Sequence, residues 1–477
     1  MMDLFSKKLP ALLLLAAFLI SLALYHSSLN YFFFQDDFFE INISKAHNLH
    51  EYLEFFKFRN DIIAYRPISL QNYFFFSNYF FGLNPMGFRL ISFVFFMFSG
   101  FLIIKLATAI TKNFKIGLLT SFFWLTSSIH FMALSWIAAA YNIIGTFFWL
   151  LTSFIFLKYL KKQKAKFYLL SFIFYLLTVG SFEFSITWPA ILGFYYFYVL
   201  KNTIVKSIKI FSPFILISAF YLIARFLFIK VPQITEYAIK FDLDSTKALF
   251  WYILWALNIP EEFKKQVVTN LLVFNPQFLS AFWPLIFKTF LGAFLVLVSA
   301  VIIPIKIIIK NGPPINFRLI GFAIIWFAIA VLPVLIIPNH TFSMYLTLPA
   351  LGIYILISYL VVQSKRTILV VPVLLIWLAT SISTLNFYKI NSWMVEAQRT
   401  AQEFSFDTKQ QFPRLESNSV VLYPLSAKWQ RQALLDQHAI RAIYNDPSLS
   451  IYYNKESLLK AYKNGSITGP VYIYIPK

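Results

Sequence analysis

Long apolar runs separated by short polar stretches dominate this chain. A membrane-crossing helix needs roughly 20 mostly apolar residues. That criterion places spans near residues 9–29, 86–109, 116–133, 142–157, 168–182, 186–200, 210–229, 283–305, 319–337, 344–362 and 367–385. The pattern predicts an all-α polytopic membrane protein with about eleven transmembrane helices. Two intervening stretches are long, about residues 30–85 and 230–282. The second contains Leu249-Phe250-Trp251-Tyr252-Ile253-Leu254-Trp255, which is too short to span and reads as an interfacial or re-entrant helix. Beyond about residue 386 the chain becomes polar. Residues 391–411 carry the spacing of an amphipathic helix, 419–423 and 471–475 that of strands, and 428–443 that of a helix between them. The expected organisation is a transmembrane unit over 1–385 followed by a small extracytoplasmic α/β domain over 386–477.

The distribution of charge orients these spans. Loops after even-numbered spans carry Lys112 and Lys115; Lys158, Lys161, Lys162, Lys164 and Lys166; Lys201, Lys206 and Lys209; Lys306, Lys310 and Arg318; Lys365 and Arg366. The opposite short loops, around 127–141, 180–185 and 338–343, contain no Lys or Arg. Because cytoplasmic loops retain positive charge, the expected N-terminus is cytoplasmic, and both long loops and the C-terminal domain lie outside, at a plasma (inner) membrane. The first run is long and lacks a small-x-small cleavage site, so it reads as an uncleaved anchor. A formal charge of +21 raises the idea of nucleic acid, but the cations sit mainly in short loops between spans, and that partner is set aside. The absence of cysteine excludes a disulfide framework and thiolate metal ligands.

The candidate chemistry gathers on the outer side. Asp36 and Asp37 follow the first span inside Tyr31-Phe32-Phe33-Phe34-Gln35-Asp36-Asp37-Phe38-Phe39. Anions against apolar surface at a membrane boundary are costly, and proton abstraction or metal binding would justify them. The alternative is a solvated loop start or a helix N-cap. Next come Tyr65-Arg66-Pro67-Ile68-Ser69, then Phe81-Gly82-Leu83-Asn84-Pro85-Met86-Gly87-Phe88-Arg89, and His130 ahead of Ser135-Trp136-Ile137-Ala138. Glu183 lies in Ser181-Phe182-Glu183-Phe184-Ser185-Ile186-Thr187-Trp188-Pro189. Pro338-Asn339-His340 precedes Tyr345-Leu346-Thr347-Leu348-Pro349. His26, His47 and His50 show no metal spacing.

In these ordered motifs, from about residue 30 to 360, the chain resembles the multi-spanning glycosyltransferases of the GT-C class. Within that class it is most similar to protein O-mannosyltransferase-like proteins that often carry tetratricopeptide repeats. It departs from them at Phe182 and Met344, where basic residues are usual, at Ala139-Ala140-Tyr141-Asn142, where a charged run is usual, and in lacking a repeat array. The resemblance implies transfer of a sugar, with mannose the candidate, from a polyprenyl-phosphate donor to a protein or glycan/lipid acceptor at the outer face, with inversion. It points to Asp36 as the base, with Asp37 orienting it or holding a divalent cation, Mg or Mn, and Glu183 as a further site acid. Arg66, Arg89, His130, Arg225, His340 and Tyr345 are the expected substrate-binding residues, with Lys288 a further outer cation; Arg is suited to a lipid phosphate through its paired donors. Snorkelling to headgroups is the bland reading for Arg89, Arg225 and Lys288, and a satisfied structural role that for the histidines. Two other functional classes stay open: a transporter or flippase of lipid-linked sugars, and a non-catalytic binder of them.

Overall fold

The computed structural model describes residues 2–229, 235–268, 273–311, 314–425 and 427–475. Residues 230–234 and 269–272 of the expected second outer loop lie outside the described residues. The chain is mostly helical. Six helices are long and apolar enough to cross a membrane: Pro85–Thr111, Ile137–Lys162, Ile204–Phe228, Pro276–Lys310, Phe317–Leu335 and Ile368–Gln411. Phe114–Leu125 and Ser128–Ser135, bent by 49°, make a seventh if taken as one broken span. Ala165–Val179 and Ala350–Gln363 are apolar but shorter, and the first expected span falls in the helix Met2–Tyr25. The sequence-based count of about eleven is therefore not reached among the described residues.

The shortfall has local causes. The expected span at 186–200 divides into a helix, Trp188–Phe194, and a π-turn, Tyr195–Val199. The expected span at 344–362 opens with a 3-10 turn, Ser343–Leu346, and becomes helical only at Ala350, after Pro349. Hydropathy registers the apolar content of such segments and not the breaks within them.

Where a helix breaks at membrane depth, its freed backbone groups must be satisfied by protein. At the bend after Leu125 several such partners are visible. The Asn258 carboxamide oxygen accepts from Ser128 N at 2.7 Å, Ser128 Oγ at 3.0 Å and Ser127 Oγ at 3.1 Å. The Tyr25 hydroxyl donates to the Ser127 carbonyl, and Ser381 Oγ donates to the Thr126 carbonyl at 2.6 Å. Around this polar stitch the core is aromatic. Trp124, Trp149, Trp188, Trp326 and Trp377 are fully buried, and Trp188 sits 4.7 Å from Phe214 and 5.2 Å from Phe156, ring centre to ring centre.

The Gly-x-Asn-Pro-x-Gly motif makes a corner. Gly82, at φ 56°, ends the helix Tyr73–Phe81. The Asn84 side chain then accepts from Met86 N at 3.1 Å, and Pro85 opens the next helix at a position that needs no N–H donor. A Cβ on Gly87 would meet the Phe81 ring at 2.2 Å, so the close packing of this corner requires glycine there.

The polar C-terminal stretch contains three short strands, β1 (Val420–Leu422), β2 (Ser450–Tyr452) and β3 (Val471–Ile473). They form one parallel sheet in the order β2-β1-β3. The expected strands overlap β1 and β3, and β2 is a further strand that the sequence pattern did not place. The single helix expected near 428–443 is two, Lys428–Leu434 and His438–Tyr444, because Leu435 and Asp436 both take positive φ.

Candidate active site

The two aspartates open a short helix, Asp36–Ile43, hereafter the acidic helix. Acids favour the first turn of a helix because its free N–H groups carry partial positive charge. The environments of the pair differ sharply. Asp37 is fully buried, and both of its oxygens are occupied by main-chain donors: Oδ1 accepts from Ala138 N at 2.7 Å and Oδ2 from Phe34 N at 3.1 Å. Asp37 thus ties the acidic helix to the Trp136-Ile137-Ala138 turn. Asp36 is partly exposed and its side chain accepts no protein hydrogen bond among the described residues. Burial pushes the Asp36 carboxyl up to about 6, against the lowering effect of the Arg66 charge. Burial likewise pushes Asp37 up to about 7, even with Arg89 and two amides opposing.

The C-terminal stretch holds the acidic helix from behind. Gln35, at φ 50°, donates its N–H to the Ala433 carbonyl at 2.8 Å. Asn42 Nδ2 donates to the His438 carbonyl at 2.9 Å, and Lys45 Nζ to Asn445 Oδ1 at 2.7 Å. The Phe39 and His438 rings meet edge to face at 5.2 Å.

Arg66 and Glu183, 117 residues apart, form a paired contact. Arg66 Nε donates to both Glu183 oxygens at 3.2 and 3.1 Å, and Nη2 to Oε2 at 3.0 Å. Their segments are fastened side by side: Ile68 N donates to the Gly180 carbonyl at 2.9 Å, and Ser69 Oγ to the Ser181 carbonyl. Arg225 approaches the same carboxylate, Nη1 to Oε1 at 3.7 Å, with Nη1 buried and otherwise unpartnered. Burial alone would raise the Glu183 carboxyl, but Arg66 and then Arg225 outweigh it and hold it below its ordinary value. Burial similarly opposes the charge on Arg66, and Glu183 more than offsets it. Two guanidiniums share one carboxylate, so this cluster keeps one net positive charge.

Aromatic rings close the cluster. The Arg66 guanidinium lies 3.4 Å from the centre of the Tyr141 ring, a cation–π contact, and Tyr141 hydrogen-bonds Tyr345. His340 packs against Tyr237 at 4.6 Å, Phe342 at 4.9 Å and Tyr345 at 6.1 Å. Burial, then the Arg66 charge, pushes His340 down to about 4, so near neutrality it is an uncharged imidazole. Tyr237 lies within the fields of both Asp36 and Arg66. Glu261 steadies this wall: its carboxylate accepts Ser343 N at 2.7 Å, at the start of the turn that carries Tyr345.

Of the residues singled out in the sequence, Asp36, Arg66, Glu183, Arg225, His340 and Tyr345 therefore come together, with Asp37 behind them. Arg89 and His130 have other work. Buried Arg89 spends its donors on the carbonyls of Tyr31, Phe32, Pro85 and Ser135, leaving none aimed at a ligand. His130 is enclosed, its Nε2 at 2.8 Å from the Trp124 carbonyl and its ring packed between Trp124 and Phe96. Lys288 is exposed on the helix Pro276–Leu297 and forms no ion pair among the described residues. Sequence reasoning missed Tyr141, Tyr237 and the buried acid Glu40. Tyr141 left a trace in the uncharged run after Trp136-Ile137-Ala138, whereas Glu40 reads from sequence as an ordinary helix-surface acid.

The donors fit a protein-held divalent cation poorly. Both Asp37 oxygens are taken by amides, and no three His, Asp or Glu side chains converge as a metal site among the described residues. Hard divalent cations take six or more oxygen ligands, and the carboxylates here would supply only part of that set beside water or a substrate phosphate.

No protein-family model and no curated protein sequence matches this chain. Solved structures do resemble it. The oligosaccharyltransferase of Archaeoglobus fulgidus, tethered with an acceptor peptide containing the NVT sequon, is 14% identical at a TM-score of 0.50, over 94% of this chain and 64% of that one. The same enzyme in complex with Zn and sulfate gives 13% and 0.46, over 92% and 62%. ArnT from Cupriavidus metallidurans bound to undecaprenyl phosphate gives 12% and 0.42, over 98% and 89%. The chain thus spans less than two thirds of the length of the oligosaccharyltransferase it matches. At such identity the likeness is one of architecture: the chain shares the fold of that oligosaccharyltransferase.

Proposed function

We propose that this protein is a membrane glycosyltransferase that moves a sugar, mannose as the first candidate, from a polyprenyl-phosphate donor to a hydroxyl of a protein or glycan acceptor at the outer face of a plasma membrane. One observation carries the reading. Asp36 is a desolvated carboxylate without a protein hydrogen bond, facing a cluster with net positive charge.

A hydroxyl is a poor nucleophile near neutrality. As its oxygen attacks the anomeric carbon, Asp36 accepts its proton, a contribution of about 10²–10⁴ in rate. The bond between that carbon and the phosphate oxygen breaks with its electron pair going to the phosphate, and single displacement inverts the anomeric centre. Arg225, whose buried Nη1 approaches Glu183 without a hydrogen bond, and Arg66 stabilise the negative charge that develops on the leaving phosphate. Neutral His340 with Tyr237 and Tyr345 forms an amphipathic wall suited to a sugar ring. No step is routed through a metal. The C-terminal residues 386–477 support the acidic helix, and the apolar helix surfaces accommodate the polyprenyl tail.

The test is transfer by protein reconstituted in lipid vesicles, supplied with a panel of radiolabelled polyprenyl-phosphate sugars and with peptide and glycan acceptors. Turnover of one donor with inversion supports the reading and names the sugar. Donor binding without turnover across the panel overturns it in favour of a binder, and donor crossing the bilayer unaltered in favour of a transporter.

A further inference from the structure

The acidic helix carries a third carboxylate. Glu40 stands one turn after Asp36, and residues four apart on a helix share a face. It is buried, at 6% exposure. Gln71, on the π-turn Ile68–Asn72 that follows Arg66, is the side chain that hydrogen-bonds it, Nε2 donating to Glu40 Oε2 at 3.3 Å. Gln71 is itself 3% exposed, and its carbonyl oxygen Oε1 is buried without a donor. An orphaned buried acceptor costs about 1–3 kcal/mol. A carboxylate cannot relieve it, since an ionised Glu only accepts, but a protonated Glu carries one O–H to give. Carboxylic acid and primary amide are complementary: the acid O–H donates to the amide oxygen while the amide N–H donates to the acid carbonyl, and both groups are satisfied at once.

The charged groups around Glu40 favour the same form. From its own helix it faces Asp36 and Asp37, both anionic when ionised; from the following loop it faces Arg59 and Arg66 at a distance. Neither arginine forms an ion pair with it among the described residues, Arg66 being engaged by Glu183 and Arg59 by Asp61. Burial, then the Asp36 charge, pushes the Glu40 carboxyl up to about 8.

We infer that Glu40 serves the site as a neutral acid closed onto the Gln71 amide, and that this acid–amide pair is a positioning device fixing the Asp36 helix against the Arg66 segment. The role given to it rests on Asp36 being the base; its protonation does not. Ionising Glu40 removes the donor to Gln71, opens the joint between the two halves of the site, and places a second negative charge one turn from Asp36.

Two measurements test this. The first is independent of catalysis. The infrared difference between parent protein and Glu40→Gln in vesicles contains, near neutrality, a protonated carboxylic C=O band belonging to Glu40, which disappears as pH rises through about 8. Gln71→Leu shifts that band, because the acid loses its amide partner, and supplies the same test if Glu40→Gln does not fold. Absence of the band, or a band indifferent to Gln71→Leu, overturns the inference. The second is the transfer rate from pH about 7 to about 9, each protein normalised to its own neutral value. The parent loses about tenfold per pH unit beyond the Glu40 ionisation, and Glu40→Gln, whose amide cannot ionise, stays level. An identical alkaline fall in both proteins overturns the positioning role. If neither protein transfers any sugar while the band behaves as described, the proposed function fails and the acid–amide pair stands.

Discussion

The acidic helix and the Gly180–Thr187 turn handle buried carboxylates in opposite ways. At the turn, Glu183 is gripped by Arg66 and approached by Arg225, and its charge is held in place. On the acidic helix no carboxylate has a cation in contact among the described residues, and all three carboxyls titrate well above their ordinary range. A paired acid is a poor proton acceptor because its charge is already stabilised, whereas a desolvated, unpaired one gains most from taking a proton. Under the proposed function the difference gives Glu183 electrostatic work and Asp36 proton work, although sequence order alone presents both as site acids.

The largest expected effect separates the two regions directly. Asp36→Asn removes the base and lowers transfer by about 10²–10⁴, with donor binding and thermal unfolding unchanged. Glu183→Ala acts on the fold instead. It strands two guanidiniums that are less than a quarter exposed, and removing one partner of a buried pair costs about 3–5 kcal/mol. Its unfolding temperature in detergent should fall steeply; an unchanged value would show that the bridge contributes nothing. Asp37→Ala is next. It deprives the Phe34 and Ala138 amides of their acceptor, at about 1–3 kcal/mol for a buried unpaired group, and chemical denaturation of the reconstituted protein reads that loss.

The acid side of the pH profile sharpens the comparison. With the Asp36 carboxyl near 6, the ionised base is depleted below that value, so transfer falls about tenfold per pH unit on further acidification. A rate unchanged down to pH about 4 would place the base elsewhere. The smallest effect concerns stability. The Glu40 carboxyl is raised in the fold from 4.5 to about 8. Its contribution is thus fully present below the unfolded value and lost as pH rises through about 8. Glu40→Gln should therefore gain unfolding temperature over the parent as pH passes that value; a pH-independent difference would contradict the assignment.

Much of this was legible in the sequence. Asp36, Arg66, Glu183, Arg225, His340 and Tyr345 all fall on one predicted side of the membrane, and the fold brings these side chains near one another. What was not legible depends on contacts between distant segments. Nothing near Asp37 in sequence reveals that the Ala138 amide, 101 residues on, occupies it and leaves Asp36 as the free acid. Arg89 reads as a boundary cation until four carbonyls are seen around it. Glu40 looks exposed until Gln71 closes on it. The same limit applies to the fold. Apolar content located the helical segments, but the breaks at Tyr195–Val199 and before Ala350 follow from local backbone geometry and proline.

The most direct test of the central claim is the single-turnover rate of sugar transfer by Asp36→Asn beside the parent protein, in the same vesicles and with saturating donor. The expected rate is lower by about 10²–10⁴ with donor affinity retained. A variant that transfers sugar at the parental rate would contradict it and remove Asp36 from the chemistry.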